Sequence, residues 1–271
     1  MDVEEHFQVH GFEGVVARAD WERHESRVGR NVERVLELCR AHGVHGTFFV
    51  LGWCAERAGA WLGEIVSAGH EIASHGYAHE LLYRQGREAF AADLRRSCEL
   101  LAERAGAAVL GFRAPSYSVT RRSLWAYEVL AAQGLAYDSS VYPIARRRYG
   151  IPDAPLRPYR VPVAGGGSVV EFPMTALPVG PWRLPAASGA YLRLLPLAVH
   201  QAALRRCAAR GAPGIVNVHP WELDPAQPRI RARARSRFFH YTGLGRTAAV
   251  LEALFGEFRF APLRDALAGV P

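Results

Sequence analysis

The feature that most constrains the fold is an alternation of short strand-like runs with amphipathic helical stretches. Runs rich in β-branched and aromatic residues predict strands at 45–51 and 71–74, and apolar spacing predicts a long helix at 87–105. Repeated strand–helix units imply parallel pairing, because neighbouring parallel strands need a crossover connection. The chain is therefore predicted to be an α/β protein built on a parallel sheet or barrel.

The remaining elements follow from the same periodicities. Helices are predicted at 30–41, 55–68, 121–133, 191–210 and 246–255, and strands at 108–113, in a short run ending at Asp138, at 168–174 and at 214–219. Residues 141–189 are rich in Pro, Gly and Arg, with only 168–174 strand-like, which predicts a long insertion loop. We expect a single domain over 1–271, with this loop at about 141–189 and a C-terminal extension at about 225–271.

Composition excludes several classes of protein. The 271 residues are 49% hydrophobic and 22% charged, which excludes disordered and coiled-coil chains. The net charge of +7 comes from 33 basic residues, all of them Arg, and 26 acidic ones. Such a uniform Arg bias does not by itself indicate a nucleic-acid partner, and we expect none. The four cysteines form no CxxC pair, so the sequence predicts neither a disulfide framework nor a thiolate zinc site.

The sequence contains no targeting or membrane-spanning pattern. No apolar run reaches the roughly 18 residues of a spanning helix, and the first residues are acidic. We therefore expect a cytoplasmic bacterial protein. Only Met1 precedes the acidic cluster that would follow a first strand, so we expect the natural protein to begin upstream. Restoring several apolar residues there is expected to raise the melting temperature.

Polar residues follow the predicted strands, where functional groups of parallel α/β proteins gather. These residues are Asp2, Glu4, Glu5, His75, His79, Arg113, Asp138 and His219. Carboxylates, two neighbouring histidines, an arginine and a third histidine together are typical of a metal-assisted hydrolase.

His75 and His79 are four residues apart and directly follow a predicted strand, so both imidazoles can reach one metal. His6 and His10 have the same spacing without a preceding strand, and we favour the first pair. The carboxylates of residues 2–4 offer a third ligand and a general base. A solvated acidic N-terminus is the alternative interpretation.

Two further positions are fixed by a following proline. Arg113 precedes Ala-Pro, which favours an extended chain, and His219 precedes Pro220 at the end of an apolar run. The alternatives are a surface arginine and a buried core histidine. Asp138, in a YDSS segment, is equally typical of a turn or a helix cap.

Taken in order, these segments resemble the five motifs of the polysaccharide deacetylases of carbohydrate esterase family four. The corresponding segments are Asp2-Val3-Glu4, SHGYAH (74–79), RAPSYS (113–118), YDSSVYP (137–143) and VNVHPWE (216–222). The opening DVEEHFQV, EFPMT (171–175) and FFHYTGLGR (238–246) look more particularly like the branch associated with exosortase-linked exopolysaccharide gene clusters.

The resemblance implies a distorted (β/α) barrel with about seven parallel strands, the first of them truncated. Glu4, His75 and His79 would hold a divalent metal, with zinc expected, and Glu5 is the alternative third ligand. Asp2 would act as general base, paired with Arg113.

The same resemblance assigns the remaining roles. His219 would protonate the leaving amine, oriented by Asp138 or a neighbouring carboxylate. A backbone N–H near Tyr117 would stabilise the oxyanion, and we expect Tyr117 and Trp221 to contact the substrate. The implied reaction removes N-acetyl groups from an N-acetylhexosamine-containing polysaccharide in exopolysaccharide biosynthesis, with an N-acetylated glycan as partner.

Two other functions remain open from the sequence. One is hydrolysis of a small-molecule amide on the same fold. The other is a catalytically silent module that binds an anionic polymer through Arg146–Arg148 and Arg229–Arg237. The intact set of acidic, histidine and arginine residues favours an enzyme over a binding module.

Overall fold

A computed structural model describes residues 1–270, and its centre is a mostly parallel sheet. The strands are β1 (Asp2–Val3), β2 (Thr47–Val50), β3 (Glu71–Ser74), β4 (Gly111–Phe112), β5 (Tyr137–Asp138), β6 (Tyr159–Pro162), β7 (Ser168–Glu171), β8 (Ala176–Val179) and β9 (Trp182–Pro185). Seven of them form one sheet in the order β1-β2-β3-β4-β5-β7-β6, and β8 pairs with β9 in a separate hairpin.

Helices connect and cover the strands. They are α1 (Val28–Ala41), α2 (Gly52–Glu56), α3 (Trp61–Ser67), α4 (Arg87–Ala105), α5 (Ala126–Ala132), α6 (Gly189–Leu194), α7 (Leu197–Ala208), α8 (Ala234–Tyr241), α9 (Thr247–Glu257) and α10 (Leu263–Ala266). Two predicted helices are interrupted. The 55–68 helix is divided between α2 and α3, and Pro196 ends the first part of 191–210 because proline cannot continue a helix.

The predicted α/β class is confirmed, with one difference in strand direction. Six strands of the sheet run parallel, and β6 pairs antiparallel to β7 at the edge. Side chains alternate across β2, so that Phe48 packs under the helices while Phe49 faces inward beside Tyr137. Gly111 permits this inner packing, because a Cβ there would lie 2.0 Å from the Tyr137 ring.

The predicted strand at 214–219 is not formed as a strand. Residues Ser188 and Asn217 make only an isolated bridge, and on the other side the Asp2 N–H donates to the Val218 carbonyl at 3.1 Å. Too few backbone groups face each other there to continue a ladder. Within residues 1–270 the ladder is therefore open between β6 and β1, and this segment lies against β1 by a single backbone bond.

The insertion segment is more structured than expected. Besides β7 it contains β6, β8 and β9, so the prediction that only 168–174 forms a strand is wrong. Three glycines with positive φ, at 165, 166 and 167, form the turn between β6 and β7. Prolines and arginines interrupt the alternation of apolar and polar residues by which a strand is predicted. These segments can still form strands, because proline is tolerated in strands at a sheet edge.

The first strand is short but well anchored. The Met1 amine donates to the Thr47 carbonyl at 2.7 Å, and the Phe49 N–H donates to the Met1 carbonyl at 2.8 Å. Asp2 is buried and pairs in register with Phe49. The carboxylate expected on a truncated strand is thus held in place. Among the helices of residues 1–270, none has the length together with the apolar character that crossing a lipid bilayer requires.

Candidate active site

A buried ion pair lies at the end of β1. Asp2 Oδ1 accepts a hydrogen bond from Arg113 Nη1 at 2.8 Å, and its Oδ2 accepts one from Asn217 Nδ2 at 2.8 Å. Burial acts to raise the pKa of Asp2, but Arg113 and the neighbouring histidines outweigh it and hold the pKa well below its usual range. The carboxylate is therefore ionised and fixed in direction.

Arg113 is itself held on every side. Its Nε and Nη2 donate to the carbonyl and hydroxyl of Ser139 at 2.8 and 2.7 Å, and Nη1 also donates to Asn217 Oδ1 at 2.8 Å. Its guanidinium carbon lies 4.1 Å from the centre of the Phe49 ring. A guanidinium with this many partners presents a rigid donor to Asp2.

Next to this pair, Glu4, His75 and His79 each turn one ligand atom toward a common point. These atoms lie within 4.8 Å of one another, and all three residues are buried. Glu4 Oε2 is 2.8 Å from His79 Nε2, yet it forms no hydrogen bond of good geometry. A buried carboxylate oxygen without a hydrogen-bond donor costs free energy, and a cation would satisfy it. The donor set therefore fits a divalent metal.

The histidines are prepared to act as ligands. His75 Nδ1 donates to the Arg113 carbonyl at 2.7 Å, which leaves Nε2 free to bind. Burial lowers the pKa of His75 to about 4, so its imidazole is neutral at neutral pH. His79 has a φ of +52°, a left-handed conformation that is strained for a residue with a Cβ. The fold maintains this strain where it turns His79 toward Glu4.

Geometry distinguishes the two candidates for the third ligand. Glu5 points away from the donor cluster and caps α1, because its carboxylate accepts hydrogen bonds from the N–H groups of Arg27 and Val28 and from Ser26 Oγ. Glu4 alone faces the two histidines. The backbone direction of adjacent residues thus assigns one carboxylate to the helix and the other to the site.

His219 lies beside both carboxylates of the site. Its Nδ1 donates to Glu222 Oε1 at 2.7 Å, while Nε2 lies 3.7 Å from Glu4 Oε1 and 3.8 Å from Asp2 Oδ2. Burial acts to lower the pKa of His219, but the Glu222 hydrogen bond and the nearby carboxylates outweigh it and raise the pKa to about 9. With 19% of its side chain exposed, His219 is protonated and reachable from solvent.

Glu222 is in turn fixed by a buried arginine. Arg193 Nε donates to Glu222 Oε2 at 2.5 Å, and both side chains are buried. Burial acts to raise the pKa of Glu222, but Arg193 and His219 outweigh it and lower it to about 2. An arginine, a carboxylate and an imidazole thus form a chain that ends at His219 Nε2.

Trp221 and Tyr117, the two residues expected to contact the substrate, differ in their burial and hydrogen bonds. Trp221 is buried, donates from Nε1 to Glu4 Oε1 at 3.3 Å and stacks on His219 with ring centres 5.0 Å apart. Tyr117 is half-buried, and its hydroxyl accepts from Asn217 Nδ2 at 2.7 Å. Its backbone N–H donates to the Ala114 carbonyl at 3.0 Å and is therefore already engaged.

Asp138 is not brought together with His219. It lies in β5 opposite Glu171 of β7 and accepts a hydrogen bond from Ser140 Oγ at 2.5 Å. Burial raises the pKa of both carboxyl groups, as two acids with little access to water must share protons. The neighbouring carboxylate that orients His219 is Glu222, and Asp138 belongs to the core of the sheet.

Three residues of the site were assigned no individual role from the sequence. They are Asn217, which bridges Asp2, Arg113 and Tyr117; Glu222; and Arg193. Glu222 had a local signal, since it lies three residues after His219 and closes a capping box with it. Arg193 had none, because nothing distinguishes it from the other arginines until the chain is folded.

Comparison with known proteins relates this geometry to a family. Residues 25–135 match the family described as polysaccharide deacetylase, and residues 139–268 match a domain of unknown function, DUF3473. A peptidoglycan deacetylase of Helicobacter pylori is 30% identical over 110 residues, which are 41% of this chain and 36% of that protein. A peptidoglycan-N-acetylglucosamine deacetylase of Bacillus cereus is 30% identical over 96 residues, 35% of each chain.

The matched regions therefore span about a third of the length of these two relatives. A crystal structure from Mycobacterium smegmatis, described as that of a polysaccharide deacetylase, shares the fold with a TM-score of 0.61. The two sequences are 24% identical, and the match covers 89% of this chain and 76% of the other. Residues 25–135 are therefore similar to polysaccharide deacetylases, and the shared fold extends over most of the chain.

Proposed function

We propose that this chain is a metal-dependent hydrolase that removes N-acetyl groups from an N-acetylhexosamine-containing polysaccharide. The observation that carries the proposal is the donor cluster of Glu4, His75 and His79, with the Asp2–Arg113 pair and His219 beside it. One base, one acid and one cation site within reach of a single small group are what amide hydrolysis needs.

Glu4, His75 and His79 would hold the metal. Two imidazole nitrogens and one carboxylate oxygen are a set that zinc accepts in catalytic sites with a position left open. When bound there, a divalent metal supplies Lewis acidity to the acetyl carbonyl. The identity of the metal as zinc is part of the proposal.

Asp2 and His219 would transfer the protons. Asp2, ionised beside Arg113, accepts a proton from the water that attacks the acetyl carbon. His219, protonated at neutral pH, donates its Nε2 proton to the sugar nitrogen as the C–N bond breaks. Acetate and a free amine leave, and the Glu222 carboxylate stabilises the charged imidazole during the reaction.

Tyr117 and Trp221 would form part of the wall of the sugar-binding site. The Tyr117 hydroxyl lies beside the Asp2–Asn217 pair, and Trp221 fixes His219 through its stacked ring. The engaged N–H of Tyr117 gives no support to the expected oxyanion contact, so we assign Tyr117 to sugar binding through its hydroxyl. Asp138 has no part in this scheme.

The substrate class rests on the relatives. The named activities of the Helicobacter pylori and Bacillus cereus proteins concern peptidoglycan and its N-acetylglucosamine, which supports an N-acetylhexosamine glycan here. The resemblance of DVEEHFQV, EFPMT (171–175) and FFHYTGLGR (238–246) to the exosortase-linked branch supports a role in exopolysaccharide biosynthesis. The four cysteines are free thiols, which supports a reducing compartment such as the bacterial cytoplasm.

We also propose that residues 1–271 act as one domain, with the insertion at about 141–189 and the extension at about 225–271. Support comes from Tyr127 and Glu171, which belong to different matched family segments: the Tyr127 hydroxyl donates a hydrogen bond to Glu171 Oε2 at 2.9 Å. The site likewise draws Arg113 from the first segment and His219 from the second.

Acetate release tests the proposal. Metal-stripped protein is assayed on chitooligosaccharides and on peptidoglycan glycan strands, before and after zinc is added back. We expect release only with zinc, and its loss in His75→Ala but not in His45→Ala, which removes an exposed histidine outside the site. Undiminished release by metal-stripped protein or by His75→Ala would contradict the proposal.

A further inference from the structure

A strongly basic segment lies beyond the site and is not used by the proposed reaction. Residues 225–251 contain six arginines and no acidic residue. Five of these arginines fall between residues 229 and 239, which also include two adjacent phenylalanines. Residues 229–239 are called the basic–aromatic segment below.

The backbone turns all five arginines outward. Before α8 the chain is irregular, and Arg229, Arg231 and Arg233 are exposed while Ile230 and Ala232 pack against the core. This alternation places three guanidinium groups on the solvent side of an anchored backbone. Arg235 and Arg237 continue the exposed set on the first turn of α8.

These charges have no acidic partners. Elsewhere most ion pairs of the protein involve an exposed arginine, as in Arg84–Glu13 and Arg205–Glu257. Within residues 1–270 none of the five arginines of the basic–aromatic segment lies within 4.0 Å of a carboxylate oxygen. The positive charge of the segment is therefore not neutralised by a carboxylate at ion-pair distance in the described fold.

The segment also exposes aromatic surface. Phe238 is 54% exposed and Phe239 is 38% exposed, and they are the large exposed phenylalanines of the described chain. Their rings lie 5.5 Å apart, and the Arg235 guanidinium is 5.8 Å from the Phe239 ring. Two exposed aromatic rings among unpaired arginines mark a surface that binds a partner which is both anionic and apolar.

We propose that the basic–aromatic segment docks the protein on a membrane surface that carries anionic phospholipids. Lipid phosphates are the complementary partner of the unpaired guanidinium groups, and the phenylalanine rings reach into the boundary between headgroups and acyl chains. A soluble anionic polymer would satisfy the arginines but would leave both rings in water. The exposed ring pair is the observation that favours a membrane.

The docking surface adjoins the candidate active site through α8. His240 of the same helix is buried, and its ring stacks on Trp221 at 4.2 Å, while Trp221 stacks on His219. Docking would therefore hold the site close to glycan that is attached to, or made at, the membrane. Membrane binding itself does not depend on the proposed deacetylation.

Sedimentation with lipid vesicles tests the proposal. The full chain is mixed with vesicles of phosphatidylcholine alone or of phosphatidylcholine with phosphatidylglycerol, at low and at high salt. We expect binding only to the anionic vesicles, and a loss of at least about tenfold in Arg231→Gln/Arg233→Gln/Arg235→Gln. The matched control Arg146→Gln/Arg147→Gln/Arg148→Gln removes the same charge from another exposed stretch and should retain binding.

Substitution of the two phenylalanines distinguishes binding to a membrane from binding to a soluble polyanion. Phe238→Ser/Phe239→Ser should lose the part of vesicle binding that persists at high salt, because apolar insertion is not screened. Circular dichroism confirms that each variant is folded. The proposal is overturned by absence of vesicle binding, by equal losses in the two arginine triples, or by unchanged vesicle binding of the phenylalanine variant together with tight binding to heparin.

Discussion

At the residue scale, the adjacent carboxylates Glu4 and Glu5 have opposite tasks. Glu4 enters the donor cluster, while Glu5 turns to the start of α1, where it accepts hydrogen bonds from the N–H groups of Arg27 and Val28. The sequence identified both glutamates as candidates for the third metal ligand, but it did not indicate which side chain points toward the histidines. The position of α1 in the folded chain determines that Glu5 caps a helix, which leaves Glu4 as the candidate ligand.

Glutamine substitutions should separate these roles. Glu4→Gln is expected to abolish stoichiometric zinc binding with the fold retained, because it removes the only carboxylate of the cluster. Glu5→Gln should still bind zinc but lose about 1 kcal/mol of stability, since a charged helix cap is weakened. Zinc titration by calorimetry and urea unfolding measure the two effects, and zinc loss in Glu5→Gln alone would reverse the assignment.

The orientation of His219 provides a second residue-scale prediction. Glu222→Gln should lower kcat for acetate release about a hundredfold with a smaller change in KM, because His219 loses the charge that keeps it protonated. Steady-state kinetics measure this split. A larger loss of kcat in Asp138→Asn than in Glu222→Gln would show that the core carboxylate, and not Glu222, supports the acid.

At the element scale, the strand ends were predictable and the strand partners were not. His75 and Arg113 follow short apolar runs that form β3 and β4, and such strands end at one edge of a parallel sheet. The pairing of Asp138 with Glu171 depends on β5 lying next to β7, with β6 at the edge. No local pattern encodes that neighbour relation, and the catalytic role predicted for Asp138 has no support in its position in the sheet.

This buried acid pair predicts an unusual pH dependence of stability. Because burial raises the pKa of Asp138 and Glu171, the folded state binds more protons than the unfolded state above about pH 4. The free energy of unfolding should therefore fall as the pH rises above about 4, the ordinary range of a carboxyl group, and less so in Glu171→Gln. Urea unfolding across this range measures the slope, with Glu37→Gln, an exposed carboxylate on α1, as control. Equal slopes in all three proteins would contradict the shared-proton interpretation.

At the scale of the whole molecule, the site ties together distant parts of the chain. Glu4 follows β1, the two histidines follow β3, and His219 belongs to a segment that lies against β1. The overall class was accessible from alternating strands and helices. The incomplete closure of the sheet between β6 and β1 could not be predicted. It depends on how few backbone groups near Asn217 are positioned to form hydrogen bonds with a neighbouring strand.

Metal binding should therefore stabilise the entire fold. Zinc at about a hundred times its Kd is expected to add about 2.7 kcal/mol to the free energy of unfolding, in a single transition. Differential scanning calorimetry with and without chelator measures this gain. His75→Ala should show no gain, and a zinc effect confined to one of two separate transitions would contradict a single cooperative unit.

The two-residue pairing of β1 makes the site sensitive to sliding. Asp2 and Glu4 reach the same site because they are two positions apart, one in β1 and one directly after it, and the ladder of β1 with β2 consists of Asp2 opposite Phe49 and Val3 opposite Val50. A slip by a single residue would turn both carboxylates away and bring the Val3 side chain in. The proton acceptor and the metal ligand would then be lost together, so mutations that loosen this alignment should yield molecules that are either fully active or wholly inert.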